Sequence, residues 1–401
     1  MKEINKIIFA LCLLLLAVFP FGAVIRFSPI SNLNIYPQDI IVGLLSAVLL
    51  VFFIIKKPRK YKNILLSAVV FNIIAIISLL VSSVELNYSE LFISASYLLR
   101  FDAYLFLIFL GMIAFSKAQI KTLKKYFIYS SLLTVAFGFI QYFFYNNLRN
   151  LYYLGWDEHL YRMFSTFLDP NFAGVIFVLL SLLLFSRVIN EKKINKETVG
   201  SFAAFILTIL ALILTYSRTA LISLIVGISI ILILSKKIKL LLISIIIFTG
   251  SVLIFSDFSV EGMNPIRIAS SEARIESFKI AAKIFNTSPI IGIGFNAYRY
   301  AQIDKGVRIV NPQIPSNADS GTDNSVMFIL ATTGILGLIS YFAIWGFIIK
   351  VSLFKEKKER IVFYSILISL FIASQFINAL FYAPIMLWIF YYVGIFELSE
   401  N

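Results

Sequence analysis

The chain has 401 residues, 60% of them hydrophobic and only 14% charged, with a mean hydropathy of +0.92. Soluble domains run at about a quarter charged residues, so this composition excludes an ordinary water-soluble fold. The net charge of +14 does not indicate nucleic acid, because the basic residues sit in short clusters between apolar runs, and a single cysteine (Cys12) and a single histidine (His159) leave no disulfide framework and no thiolate or histidine metal centre.

A membrane span needs about 20 apolar residues. In chain order, spans are expected at roughly 7–25, 38–55, 64–83, 92–115, 126–145, 171–188, 199–215, 219–235, 238–255, 323–349, 361–379 and 383–397. The first follows Lys2 and Lys6 and superficially resembles a signal peptide, but it is longer than a usual signal core and lacks a small-x-small cleavage site. Only a tight turn at Ser217-Arg218 separates the seventh and eighth. The last two are poorly separated, and Pro384 is open to belonging to a re-entrant turn instead. The expectation is an all-α polytopic membrane protein of about 12 transmembrane helices. Residues 1–255 carry helices 1–9, 256–322 form a large extracytoplasmic loop with an amphipathic helix, and 323–401 carry helices 10–12.

Orientation follows from the basic residues. With both termini in the cytoplasm, inner segments hold 23 of the 35 basic residues, among them Lys56, Lys62, Lys117, Lys125, Lys192, Lys193, Lys237, Lys355 and Arg360. This places the chain in a bacterial cytoplasmic membrane. The residue types divide as well: 20 of those 23 are Lys, whereas the remaining 12 are 9 Arg and 3 Lys. Outer arginine works against the insertion rule, and guanidinium is the side chain suited to phosphate and carboxylate. An anionic ligand on the outer face accounts for the set; pairing with external acids or lipid headgroups is the alternative for any single member.

Within the large loop, Ser271 to Phe285 reads as a helix ending before Asn286 and Pro289. Glu272, Glu276, Lys279 and Lys283 share one face, and Arg274 falls on the other among Phe278, Ala281 and Phe285. A charge on an apolar face is costly without a partner. Either it snorkels to lipid phosphate, or this face roofs a cavity where Arg274 meets a ligand phosphate. Arg218, in Tyr216-Ser217-Arg218-Thr219, interrupts an apolar run. Arg162 to Asn171 ends an external loop and opens a helix, with Asp169 the more natural cap. Ser288 to Phe295 contains two glycines that permit tight backbone but lacks the setting of a nucleotide loop. Asp323-Asn324 is either a helix cap or a polar pair at a cavity mouth, with Asp323 as a base. His159, beside Trp156, Asp157, Glu158 and Tyr161, is expected at the surface or the membrane interface.

Three blocks together resemble the O-antigen ligase/polymerase family of bacterial envelope glycan enzymes. They are Arg162 to Asn171, Tyr216 to Ala220, and Arg274 to Tyr298 followed by Asp323-Asn324-Ser325 and Thr333-Gly334-Ile335-Leu336-Gly337-Leu338. The resemblance implies a GT-C-like membrane glycosyltransferase acting on the outer face, with no nucleotide sugar, cofactor or essential metal. Its partners would be undecaprenyl-pyrophosphate-linked glycan, the lipid bilayer, a chain-length regulator and a flippase. The motif arginines correspond to Arg218 and Arg274, assigned with Asp323 to catalysis; Arg162, Asn171, Tyr216, Arg299 and Asn324 are assigned to substrate binding. The ligase branch has His followed by Asn before the last long span. Asp323-Asn324 departs from that and favours a polymerase of O-antigen or capsular repeat units. A ligase acting on lipid A core or protein is the alternative. A flippase or other transporter is disfavoured, because the charges gather at one face and no internal repeat is evident.

Overall fold

The computed structural model describes residues 2–30, 32–191, 195–255, 269–307, 320–352, 356–396 and 398. Lys192, Lys193, Lys355 and the 256–268 and 308–319 stretches of the large loop lie outside the described residues. The helices are α1 (Lys2–Val18), α2 (Pro37–Lys56), α3 (Lys62–Leu80), α4 (Tyr88–Leu105), α5 (Lys117–Phe144), α6 (Pro170–Asn190), α7 (Lys196–Leu214), α8 (Arg218–Leu234) and α9 (Ile238–Phe255). They continue as α10 (Ala269–Thr287), α11 (Tyr298–Asp304), α12 (Ser325–Ser352), α13 (Lys357–Ala373) and α14 (Ala383–Phe396). The molecule is an all-α polytopic membrane protein.

A helix stands at each of the twelve expected positions. Among the described residues, eight helices are long and apolar enough to cross a membrane, and α8 and α14 are shorter apolar helices. Pro384 sits in the first turn of α14, where a missing N–H leaves no helical bond unmade. The sequence reading contained no strand, yet β1 (Phe27–Ile30) and β2 (Leu33–Ile35) form an antiparallel hairpin between α1 and α2. The first span also ends sooner than residue 25. Pro20 and Gly22 (φ 52°) turn the chain so that Ala23 N–H donates to Thr166 O at 2.8 Å.

α14 is buried along its whole length from Ala383 to Ile395. A helix apolar on every side belongs at the centre of a bundle; here α4, α5, α6 and the 106–112 turn enclose it. The indole of Trp388 finds an acceptor inside the bundle, since its Nε1 donates to Ser131 Oγ at 3.1 Å.

α12 is broken at Gly334, whose φ of 67° and ψ of −169° are open almost only to glycine. A break inside a membrane span strands backbone groups unless protein supplies partners. The segment after α10 supplies them. Ile293 and Gly294 N–H donate to Ala331 and Thr332 O at 3.0 and 3.1 Å, while Ile335 and Leu336 N–H donate to Pro289 and Ile290 O at 2.9 and 3.3 Å. Ser78 of α3 completes the joint, donating to Thr332 O at 2.6 Å and accepting from Gly294 N–H at 2.9 Å. A Cβ on Gly292 (φ 83°) would collide with the Thr332 carbonyl, and one on Gly334 with that of Ile290. The two glycine-bearing blocks are therefore halves of one backbone-to-backbone contact.

Gly334→Ala or Gly292→Ala is expected to cost about 1–3 kcal/mol in backbone strain alone, with a collision added. The Cβ of Gly346→Ala meets nothing within 4 Å. Thermal melts in detergent should show the first two variants well below the parent and Gly346→Ala at or above it.

Candidate functional site

A cavity of about 990 Å³ opens where the α1–α2, α5–α6, α9–α12 and α13–α14 connections meet α4. The lysine-rich connections α2–α3, α6–α7, α8–α9 and α12–α13 join the other ends of these helices.

One wall begins at α6. Asp169 is its N-cap, accepting from Asn171 and Phe172 N–H at 2.6 and 3.2 Å, and its second oxygen lies 3.8 Å from His159 Nε2. Asn171 lines the cavity, and its Oδ1 accepts from Ser217 Oγ at 3.0 Å. Behind it, Arg162 is only 7% exposed and donates through Nε to Thr215 O at 2.9 Å; Met163 N–H donates to Leu214 O at 2.8 Å. The 162–171 and 214–220 blocks thus form one hydrogen-bonded unit. Arg162 serves as a strut within it and does not line the cavity.

Tyr216, at φ 49°, reverses the chain between α7 and α8 and is also off the wall. Arg218 opens α8 and donates to Ser271 Oγ of α10 at 3.1 Å. One turn further along α10, Arg274 lines the cavity. Among the described residues it has no hydrogen bond or ion pair. Burial lowers its pKa first and foremost, Arg218 lowers it further, and the carboxylates of Asp323 and Asp169 oppose this. A half-desolvated guanidinium near carboxylates but bonded to none is an unfavourable state that an arriving anion relieves.

The inward face of α10 differs from the sequence reading. Arg274, Ser277, Ile280, Ala281 and Ile284 point in, while Phe278 is 49% exposed. The branched side chains Ile280 and Ile284 pack against Met327, Phe328 and Ala331 of α12, and the bulk of Phe278 turns outward. Ser277 Oγ sits 3.0 Å from Thr322 Oγ1 and accepts from Asp323 N–H at 3.1 Å. This holds Asp323 on the cavity wall with its side chain exposed. Asn324 is the cap of α12 instead, accepting from Met327 N–H at 2.9 Å and donating to Gln375 O at 3.0 Å.

The opposite wall comes from the first 160 residues, read from sequence as generic spans and a loop. Arg100 of α4 pairs with Asp39 at 2.9 Å, lies 4.7 Å over the Tyr97 ring and reaches the Asn34 carbonyl. Tyr104 donates to the other oxygen of Asp39 at 2.7 Å. Burial pushes the Tyr36 phenol up to about 12, against the pull of Arg100, so it stays a neutral donor on the wall. Arg26 lies 5.5 Å over the Trp156 ring, and Arg299 of α11 reaches Asn32 in the hairpin turn. His159, at φ 47°, lines the cavity beside Asp169 and is not a surface residue. Arg26, Arg100 and Arg299 belong to the outer arginine excess, which was their signal in the sequence; a lone histidine in a loop carried none.

The cavity therefore gathers Asp323, Arg274, Asn171 and Arg299. Arg218 adjoins it through Ser271, and Arg162, Tyr216 and Asn324 stand behind it as supports.

Residues 203–342 match the family model described as O-antigen ligase. The match supports membership of the O-antigen ligase/polymerase family. No curated protein matches it. The matched segment is about a third of the chain and contains Arg218, Arg274, Arg299, Asp323 and both halves of the glycine joint. Arg26, Arg100, His159 and Asp169 lie before it, so the cavity is completed by residues from outside the matched segment.

Strut and ligand arginines should separate by stability. Arg162→Gln is expected to lose about 1–3 kcal/mol, since it leaves the Thr215 carbonyl unsatisfied in a buried position. Arg274→Gln removes an unpaired, partly buried charge and should leave stability unchanged or raised. Melting temperatures of the two purified variants in detergent decide this; equal losses would mean that Arg274 is structural.

Proposed function

We propose that the protein is a polymerase of lipid-linked oligosaccharide repeat units, a glycosyltransferase working on the outer face of the cytoplasmic membrane. The observation that carries this reading is Arg274: a partly buried guanidinium on the wall of a large cavity, unbonded among the described residues, between Arg218 and the Asp323 carboxylate. The fold is read as GT-C-like and both termini as cytoplasmic; the lysine-rich connections at the end remote from the cavity support this orientation.

In this reading a hydroxyl oxygen of one repeat unit forms a bond to the anomeric carbon of another chain. The anomeric C–O bond to pyrophosphate breaks, and undecaprenyl pyrophosphate leaves with the electron pair. Charge develops on the leaving pyrophosphate, where Arg274, with Arg218 beside it, offers preorganised stabilisation. The Asp323 carboxylate takes the hydroxyl proton and passes it to water. Tyr97, Tyr153, Trp156, Tyr300 and Tyr382 line the cavity and offer flat apolar faces with polar edges to sugar rings. A cavity of this size, mixing aromatic and charged lining, suits an oligosaccharide headgroup. A chain-length regulator and a flippase are the natural partners of such an activity.

A ligase reading is favoured by one finding, the description of the matching family model. Asp323 in place of histidine before Asn324 weighs against it. The deciding experiment incubates purified protein with lipid-linked repeat units, without nucleotide sugar or metal, and resolves the products on a gel. A ladder spaced by one repeat supports the polymerase. Absence of a ladder, with glycosylation of added lipid A core or protein, would assign it to the ligases. Arg274→Ala is expected to lower kcat by about 10²–10³, and Asp323→Asn by about 10²–10⁴. Normal ladders from a well-folded Arg274→Ala variant would remove the central assignment.

A further inference from the structure

Arg26 follows α1 and lines the cavity on the wall contributed by the N-terminal third of the chain. Its guanidinium stacks 5.5 Å over Trp156, and among the described residues it has no hydrogen bond or ion pair. Its neighbours differ in this respect. Arg100 is neutralised by Asp39 at 2.9 Å, and Arg149 pairs with Glu158 at 3.2 Å. Asp157 lines the same cavity but makes no ion pair with Arg26. Trp156 adds a second unused donor, because its indole N–H is buried with no acceptor among the described residues. Buried donors are nearly always satisfied. An orphan N–H beside an unpartnered guanidinium therefore indicates an acceptor that binds there.

We propose that Arg26 and Trp156 form a second oxyanion subsite in the cavity, separate from Arg274, that takes an anionic group of the second glycan substrate. Arg26 is carried by the α1–β1 connection and Trp156 by the α5–α6 connection; Arg274 is carried by α10. The two guanidiniums, each without a hydrogen bond or ion pair among the described residues, are thus held by different parts of the fold. A reaction joining two pyrophosphate-linked chains brings two anionic groups to one cavity, and one free guanidinium per anion matches that demand. Part of this inference rests on the polymerase reading, namely which substrate fills the subsite. The existence of the subsite does not. Its oxyanion is either the pyrophosphate of the acceptor lipid or the carboxylate of an acidic sugar.

The test has two arms. In the first, inorganic pyrophosphate is titrated calorimetrically into the full-length protein in detergent. The parent should bind at two sites, and Arg26→Gln and Arg274→Gln should each lose a different one. Trp156→Phe, which keeps the ring and removes the N–H, should weaken the Arg26 site, and Arg26→Lys should bind less tightly than the parent. Unchanged stoichiometry and affinity in Arg26→Gln would overturn the subsite whether or not the protein polymerises anything. In the second arm, Arg26→Gln is expected to raise KM for the acceptor about tenfold. If the rise vanishes when the same glycan is carried on a neutral lipid, the anion is pyrophosphate. If it persists there and vanishes only with carboxyl-reduced glycan, the anion is the acidic sugar. Equal KM for parent and variant on every acceptor overturns the proposal. A parent that makes no ladder removes the polymerase reading alone, and the titration still decides the subsite.

Discussion

The backbone joint between Pro289–Gly294 and the break in α12 is the constraint on which the rest of the cavity depends. Peptide groups freed inside a membrane span have no water to turn to, so the break persists only because another stretch of backbone fills it. Filling it requires two chains to approach without intervening Cβ atoms, which Gly292 and Gly334 allow. Once made, the joint fixes the end of α10 against α12. Ser277, Thr322 and the Asp323 amide then close the gap between the same two helices. Arg274 and Asp323 owe their common position to these two sets of contacts, not to proximity along the chain.

The arginines fall into two physical groups. Arg100 and Arg162 are held by a carboxylate or carbonyls of their own protein and serve as struts. Arg26 and Arg274 are placed on a cavity wall with no hydrogen bond or ion pair among the described residues, a state that costs free energy and lowers the cost of admitting an anion. Both groups look alike in sequence, since both are external arginines beside apolar runs. Burial and the presence of a partner divide them. The same division gives the 162–171 block its role although its arginine does not line the cavity: it ties α5, α6 and α7 together, and the cavity residue Asn171 is held by that tie.

Much of the fold was legible because a membrane imposes a one-dimensional rule. An apolar run of sufficient length must be a helix, and all twelve expected positions carry one. The arginine-against-lysine asymmetry marked nine external arginines as a set without singling out Arg26 or Arg100. The hairpin at Phe27–Ile35 was not legible, because two short strands stabilised by Arg100 and Arg299 leave no periodicity of their own. Neither was the orientation of α10, where ring size suggested Phe278 for the core and the packing of Ile280 and Ile284 on α12 decided otherwise.

What the sequence determined by itself was the class of molecule, the positions of twelve apolar helices and of the helix in the large loop, and the resemblance of its central segment to a known family. These follow from hydropathy, charge and local motif, all of which act along the chain. Only the tertiary structure decided which charges meet. It brought the N-terminal third across to complete the cavity, set His159 beside Asp169, made Asn324 a cap and Asp323 a wall residue, and gave Arg26 and Arg274 no hydrogen-bond or ion-pair partner among the described residues. Those outcomes depend on contacts at any separation along the chain, ten residues for His159 and Asp169 and 46 for Ser277 and Asp323, and hydrogen bonding and burial act over a few ångströms whatever that separation.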